Sequence, residues 1–188
     1  MPNKSGQPVR RDLDVLEHVR RYKLTTKAAL RTQPFFQGAG KYAVDTVVDR
    51  LKSREHFSSH QLSNGQVYFQ LGRAAANLLG VHERISRPLG DEPAIRAYTI
   101  LSFCCLQGEQ REQLTREELE RAFPGSYERG ARVTYYIDNE GTHDRLAYLR
   151  VDMGAVTRWD KLLTKLKQDI QKRCDNQTFR RLIDARRL

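Results

Sequence analysis

The sequence lacks long apolar runs and has few cysteines, and each shortage excludes a class of protein. No apolar stretch approaches the ~18 residues of a membrane span, and the first residues carry no apolar signal core, so we expect no membrane segment and no secretion signal. The cysteines number three, and two of them are adjacent. That arrangement is a poor disulfide framework and a poor metal site, so we expect reduced, buried thiols.

The usual signatures of enzymes are also missing. The sequence has no Ser/His/Asp set, no glycine-rich phosphate loop and no Cys/His spacing typical of a metal site, and its five histidines are scattered. We interpret His18 and His60 as surface histidines. The prediction is a protein that is not an enzyme, with no catalytic residues, no metal and no cofactor.

Positive charge is what the sequence has in excess. The chain of 188 residues has 33 Lys and Arg against 23 Asp and Glu, a net charge of +10. Residues 1–73 carry +7, residues 74–154 carry −3 and residues 155–188 carry +6. A basic excess often reflects an acidic partner, most often nucleic acid, although ordinary solvated helix faces can also be basic.

The first 52 residues have the apolar spacing of three helices. We predict a first helix over 12–21 with Asp12 as its N-cap, and a short second helix that begins at Thr25 or Thr26 and that Pro34 stops. A turn at 38–40 leads to a third helix over 40–52, with a stripe of valine and leucine facing the core.

A hairpin follows the helices. Residues 57–62 and 66–71 have strand composition, and Asn64-Gly65 between them is the strongest short hairpin signal. Val67, Phe69 and Leu71 are expected on one face of the return strand. Three helices and a short hairpin, in this order, predict a winged helix-turn-helix.

In helix-turn-helix proteins the third helix enters the major groove of double-stranded DNA by its amino-terminal half. Asp45 and Asp49 would repel phosphate there, so we expect them to point away or to pair with Arg50. Core packing is the alternative for Tyr42. Arg10 and Arg11 precede the first predicted helix and are expected to form a basic arm. The predicted DNA-binding residues are Arg10, Arg11, Lys27, Arg31, Lys41, Tyr42, Thr46, Arg50, Ser63, Asn64 and Gln66.

The rest of the chain predicts a second part. The Pro- and Gly-containing run ISRPLGDEPA occupies residues 85–94. We interpret residues 81–93 as a linker between a DNA-binding domain at 1–80 and a domain at 94–188. That second domain is expected to begin with an apolar segment over 94–106, which we interpret as a buried helix with a strand as the alternative. A helix begun by the capping box at 115–118, strands over 132–137 and 145–152, and a long helix over 156–174 are expected to follow before a basic tail. The predicted fold class is therefore α+β: an amino-terminal winged helix-turn-helix followed by a smaller α/β part with a β-hairpin and a long carboxy-terminal helix.

Two runs within residues 10–80, RRDLDVLEHVRRYKLTTKAAL and HQLSNGQVYFQLGRAAANLLG, resemble the winged-helix region of replication-relaxation proteins. The similar features are a first helix of the DLDVLEHV type, the LTT before the second helix and a return strand that ends at Gly72. In the second part, the VDMG turn at 151–154 and the LLTKL pattern at 162–166 are also similar to that family. The resemblance implies a DNA-binding protein of a plasmid, phage or integrative element.

In replication-relaxation proteins, the part that follows the winged helix has a distant likeness to the core of PD-(D/E)XK nucleases. A site of this kind needs carboxylates for Mg²⁺ and a lysine near them. Asp138 and Asp152 could supply the carboxylates, but glycine and not lysine stands at position 154, the third of a D-x-K motif begun by Asp152, so Lys161 and Lys165 would have to substitute. The alternative, which we favour, is that Asp138 begins a turn and Asp152 ends a strand.

The leading hypothesis is a sequence-specific transcriptional regulator of a bacterial mobile element that binds double-stranded DNA as a homodimer in the cytoplasm, associated with nucleoid or plasmid. Helices 94–106 and 156–174 are the candidate dimer interface, and the carboxy-terminal part is a candidate surface for a protein partner. The second hypothesis is an accessory factor bound at a replication or transfer origin. The third is a Mg²⁺-dependent nuclease, and the fourth is a winged helix that binds proteins instead of DNA.

Overall fold

The computed structural model describes residues 10–107, 111–122, 124, 134–138, 145–149 and 151. They form an α+β protein with helices and two small antiparallel sheets. The chain divides into two compact units, residues 1–108 and 109–188. The helices are α1 (Arg10–Tyr22), α2 (Lys27–Arg31), α3 (Ala43–Ser53), α4 (Arg73–Leu78), α5 (Asp91–Cys105) and α6 (Arg116–Ala122), and the strands are β1 (Phe57–Gln61), β2 (Val67–Leu71), β3 (Arg111–Gln113), β4 (Thr134–Asp138) and β5 (Arg145–Leu149).

The first three helices enclose one apolar core. The short helix α2 begins at the N-cap Thr26, whose hydroxyl accepts a hydrogen bond from the Ala29 backbone amide at 3.1 Å. Thr26 is therefore the cap of the two threonines that the sequence offers. A 3-10 helix follows at Pro34–Phe36 and carries Phe36 into the core. Because α1 and α3 are amphipathic, their apolar faces meet there. The core residues are Val15, Leu16, Val19, Leu30, Phe36, Val44, Val47, Val48, Leu51, Phe57, Phe69, Leu71 and Ala75.

The hairpin of β1 and β2 has the predicted turn. Phe57 is paired with Leu71 and Gln61 with Val67, and Gly65 at the tip has φ +84°, a conformation that glycine adopts without strain. The backbones of Thr25 and Phe69 exchange hydrogen bonds of 2.9 and 2.8 Å. The segment before α2 is thereby fixed against the edge of the hairpin.

Strand β2 is buried on both faces. Phe69 and Leu71 are buried as predicted, but Tyr68 and Gln70 on the opposite face are buried too, whereas Val67 is exposed. The segment after α4 covers the second face. The side-chain amide nitrogen of Gln70 donates to the Arg87 backbone carbonyl at 3.5 Å, and the side-chain oxygen of Gln70 accepts from the Leu89 backbone amide at 3.2 Å.

The structure therefore divides the chain at a different place from the predicted linker. Residues 81–93 contain a 3-10 helix at Glu83–Ser86 and the first turn of α5, so they are part of the first unit. Helix α5 packs on α1 and α2 with its buried side chains, and Cys105 forms side-chain hydrogen bonds with Tyr22 and Gln33. The boundary lies after Gly108, because the apolar face of α5 completes the first unit. As expected, Cys104 and Cys105 are buried thiols.

The second unit contains a three-stranded antiparallel sheet in the order β3-β4-β5. The sequence predicts β4, β5 and α6, but not the short strand β3. Helix α6 begins with the predicted capping box, in which the Thr115 amide donates to Glu118 at 2.8 Å and the Glu118 amide donates to Thr115 at 3.2 Å. The predicted helix over 156–174, Cys174 and the basic tail lie outside the described residues.

Two predictions about α1 are wrong. Asp12 is not its N-cap: the helix begins at Arg10, and Asp12 is a fully buried residue of its first turn. His18 is not a surface histidine: it is only 6% exposed, its ring lies against those of Tyr22 and Phe35, and it forms a hydrogen bond of 3.1 Å with the Thr25 hydroxyl. Burial, followed by the charge of Arg21, lowers the pKa of His18 to about 4. Among the described helices, none is long and apolar enough to cross a membrane.

Candidate nucleic-acid interface

Helix α3 has one buried and one exposed face. Val44, Val47, Val48 and Leu51 are buried, as the spacing predicts. Tyr42, Thr46 and Asp49, together with the partly exposed Asp45, follow each other at intervals of three and four residues and so lie on the opposite face. The Thr46 hydroxyl donates to the Tyr42 carbonyl at 3.0 Å, which leaves its oxygen able to accept. The helix begins at Ala43, three residues later than predicted.

Tyr42 is exposed and does not pack into the core. It immediately precedes α3 and is 69% exposed, the largest fraction among the exposed large hydrophobic residues described. The ammonium of the exposed Lys41 stands 5.6 Å from the centre of the Tyr42 ring. A depression of about 600 Å³ lies beside them, with Phe36 and Val44 at its base and Arg31 at its edge. An exposed aromatic ring beside a cation is suited to contact with a planar, negatively charged ligand.

Asp45 is paired across the boundary between α2 and α3. Its carboxylate accepts a hydrogen bond from Lys27 at 2.6 Å and one from Arg31 at 3.4 Å. The hydrogen bond from Lys27 is the main cause that lowers the pKa of Asp45, and the positive charges of Lys27 and Arg31 add to it. Of the two expectations for Asp45, pairing with Arg50 is wrong, because Arg50 pairs with Asp12. The charge of Asp45 is compensated by two cations that were themselves predicted to bind DNA, whereas the exposed Asp49, one turn further along the same face, has no ion-pair partner among the described residues.

Arg50 has a structural partner. Its guanidinium holds the fully buried Asp12 through two hydrogen bonds, one of them from Nε to Oδ2 at 3.0 Å. This pair joins the first turn of α1 to the last turn of α3. Arg50 therefore neutralises a buried carboxylate, which removes it from the candidate interface.

Arg10 and Arg11 are residues of the first turn of α1 and not an arm before it. Both are exposed. The Arg11 guanidinium lies 5.5 Å from the centre of the Phe36 ring, close to the depression beside Tyr42. A helical turn fixes these cations more firmly than a flexible arm would.

The hairpin tip is exposed and internally hydrogen-bonded. Ser63 and Asn64 are exposed and Gln66 is half-buried. The Gln66 backbone amide donates to the Asn64 side-chain oxygen at 3.0 Å, and the Gln61 side-chain nitrogen donates to the Gly65 backbone carbonyl at 3.0 Å. These contacts fix the shape of the tip. His60 at its base is half-buried, with its ring 5.5 Å from that of Tyr68.

Of the residues considered for nuclease chemistry, the structure describes only Asp138. It is the last residue of β4, and its Cα is paired with Arg111 on one side and Arg145 on the other. Asp152, Lys161 and Lys165 lie outside the described residues.

The predicted residues fall into three groups. Lys27, Arg31, Lys41, Tyr42 and Thr46 come together around the start of α3, Arg10 and Arg11 lie on α1, and the tip residues lie at the hairpin. The sequence did not reveal the pairing of Asp45 with α2, since those residues are 18 and 14 positions apart. Compared with known protein families, curated proteins and solved structures, the chain has no match. The resemblance to replication-relaxation proteins stays a prediction.

Proposed function

We propose that the first unit is a winged helix-turn-helix that binds double-stranded DNA in a sequence-specific manner. In this proposal the amino-terminal half of α3 enters the major groove and the hairpin tip contacts the adjacent phosphates. The supporting observation is the exposed face at the start of α3, where Tyr42 is 69% exposed beside Lys41 while the opposite face of the helix is buried.

The electrostatics of this face support the same proposal. An unpaired carboxylate on α3 would repel phosphate. Lys27 and Arg31 both pair with Asp45 at the start of the helix, which leaves Asp49, one turn further along, as the uncompensated carboxylate of this face. Arg10, Arg11 and Lys41 add exposed positive charge in the same unit. Phosphate contacts of this kind supply most of the affinity and make it dependent on salt.

The biological role that we propose is transcriptional regulation of a bacterial mobile element by a homodimer. Proteins of this architecture usually read two half-sites related by two-fold symmetry. Helix α5 is a weaker candidate for the dimer interface than its sequence indicates, because its apolar face is used inside the first unit. An accessory role at a replication or transfer origin would use the same DNA-binding face.

Binding to duplex DNA as a function of salt tests the proposal. Fluorescence anisotropy should show selection of particular duplexes from a random pool and a steep loss of affinity with rising salt. Lys41→Ala should lower the affinity and reduce the slope of log affinity against log salt by about one. Arg84→Ala removes the same charge from an exposed site outside the candidate interface and should change neither quantity.

Tyr42 is tested with a pair of variants. Tyr42→Ala should weaken binding by about tenfold, in the range of a lost aromatic contact, while Tyr42→Phe, which retains the ring, should bind nearly as well as the wild type. The proposal fails if the wild-type chain has no preference for any duplex over random DNA. It also fails if both Tyr42 variants bind with unchanged affinity.

A further inference from the structure

The carboxylate on the proposed reading face needs an explanation of its own. Asp45 lies in the first turn of α3, on the same face as Tyr42 and Thr46, and its side chain is 32% exposed. Its position is unfavourable for contact with phosphate, yet two cations of α2 hold it in place. An acidic residue used only to repel DNA would not need such fixation.

The geometry leaves Asp45 with unused acceptor capacity. A carboxylate has about four lone-pair positions, and Lys27 and Arg31 occupy one on each oxygen. The remaining positions are accessible, since about a third of the side chain faces solvent. With its charge compensated by two cations, the group can approach DNA as a hydrogen-bond acceptor at a much smaller electrostatic cost.

The major groove offers a specific donor for such an acceptor. Aspartate and glutamate accept a hydrogen bond from the exocyclic N4 amino group of cytosine, while asparagine makes a bidentate contact with adenine. We propose that Asp45 is a specificity-determining residue that reads a cytosine amino group in the major groove, with Lys27 and Arg31 as the positioning residues that hold its carboxylate. This inference rests on the proposed DNA binding of α3.

The inference predicts a defined change in sequence preference. In selection from a pool of randomised duplexes, the wild-type chain should enrich cytosine at one position of each half-site. Asp45→Asn, which has nearly the same shape, should lose about tenfold of the preference for cytosine at that position and shift it toward adenine. The preferences at the other positions should be unchanged.

Asp49→Asn is the matched control. Asp49 is exposed one turn further along α3, so both variants remove one negative charge from the same face of the same helix. Both should therefore raise the affinity for random DNA. Only Asp45→Asn should change the preferred base. Circular dichroism and the Tm of each variant establish that both are folded.

The outcomes separate the two proposals. If the wild-type chain selects a sequence and Asp45→Asn selects the same one, Asp45 only reduces non-specific binding, and the inference is overturned while DNA binding stands. If the control Asp49→Asn changes the preferred base as much as Asp45→Asn does, the inference is overturned too. If the wild-type chain selects no sequence, the proposed function itself fails.

Discussion

At the scale of single residues, the buried pair of Asp12 and Arg50 is central to the first unit. Asp12 is fully buried and its partner is 30% exposed on the side chain. Removal of one partner from a buried pair leaves an uncompensated charge, which costs far more than a surface pair contributes. The pair therefore explains why an arginine on the polar side of α3 is fixed to the protein and is not available to a ligand.

We expect Arg50→Ala to lower the free energy of unfolding by about 3 kcal/mol, the lower end of the range for a broken buried pair, because Arg50 is partly solvated. Lys52→Ala, an exposed change two residues away on the same helix, should have an effect below about 0.5 kcal/mol. Urea denaturation measures the free energy of unfolding of both variants. Equal stabilities of the two variants would show that the pair contributes little.

The buried His18 predicts a dependence of stability on pH. Burial and the Arg21 charge lower the pKa of His18 from 6.5 to about 4, so the unfolded chain binds a proton in this range more readily than the folded chain does. The contribution of the neutral, buried His18 to the free energy of unfolding is fully present above pH 6.5 and is lost as the pH falls to about 4. A pKa shift of this size corresponds to a change of about 3 kcal/mol in the free energy of unfolding.

His18→Gln, which cannot titrate, should flatten the stability profile between pH 6.5 and 4. His56 contributes in the same direction, because burial and the Arg54 charge lower its pKa too. The difference between wild type and His18→Gln, measured by urea denaturation across this pH range, isolates the His18 contribution. An unchanged profile in the variant would assign the pH dependence to other groups.

At the scale of elements, the junction between the hairpin and α4 depends on a close backbone approach. The Gly72 amide donates to the His56 carbonyl at 2.7 Å, and a Cβ at Gly72 would stand only 2.1 Å from the Glu55 carbonyl oxygen. The Gly72 φ of −79° is ordinary, so the requirement for glycine is spatial and not conformational. Here the hairpin is fixed to the residues that follow α3.

Gly72→Ala should destabilise the first unit by about 2 kcal/mol or more, because the clash is with backbone, which can shift only with the strand. Gly40→Ala is the control, since a Cβ there meets nothing within 4 Å. Thermal unfolding of both variants tests this prediction. It is contradicted if Gly72→Ala melts at the same temperature as Gly40→Ala.

At the scale of the whole molecule, α5 decides where the first unit ends. Its buried side chains, Leu101 among them, complete the packing on α1 and α2. The preceding segment holds the buried Gln70 side chain of β2. A first domain that ended at residue 80, as predicted from the sequence, would expose the faces of α1 and α2 that α5 covers as well as the Gln70 side chain.

This arrangement makes a prediction about truncation. A fragment of residues 1–108 should unfold cooperatively, whereas a fragment of residues 1–93 should be less stable by more than about 3 kcal/mol, since it loses the apolar area that α5 buries. Circular dichroism during thermal unfolding compares the two. Equal stability of both fragments would show that the first unit does not need α5 and ends before it, as the sequence predicts.

Local signals in the sequence determined much of the secondary structure. Apolar spacing predicted the buried face of α3, Thr26 and the Thr115–Glu118 capping box predicted the starts of two helices, and Asn64-Gly65 predicted the hairpin. Each of these depends on residues a few positions apart, where the chain itself fixes the geometry. The exposed position of Lys41 at the start of α3 follows from the same periodicity.

Only the tertiary structure decided which charged residues are available to a ligand. Arg50 pairs with Asp12, 38 positions away, and Asp45 pairs with α2. His18 is buried through packing with Tyr22 and Phe35. Periodicity gives the face of a helix on which a side chain lies, but not the distant element that meets that face. The absence of a disulfide framework, the basic charge and the starts of α2 and α6 were determined by the sequence, whereas the partners of its charges were determined by the fold.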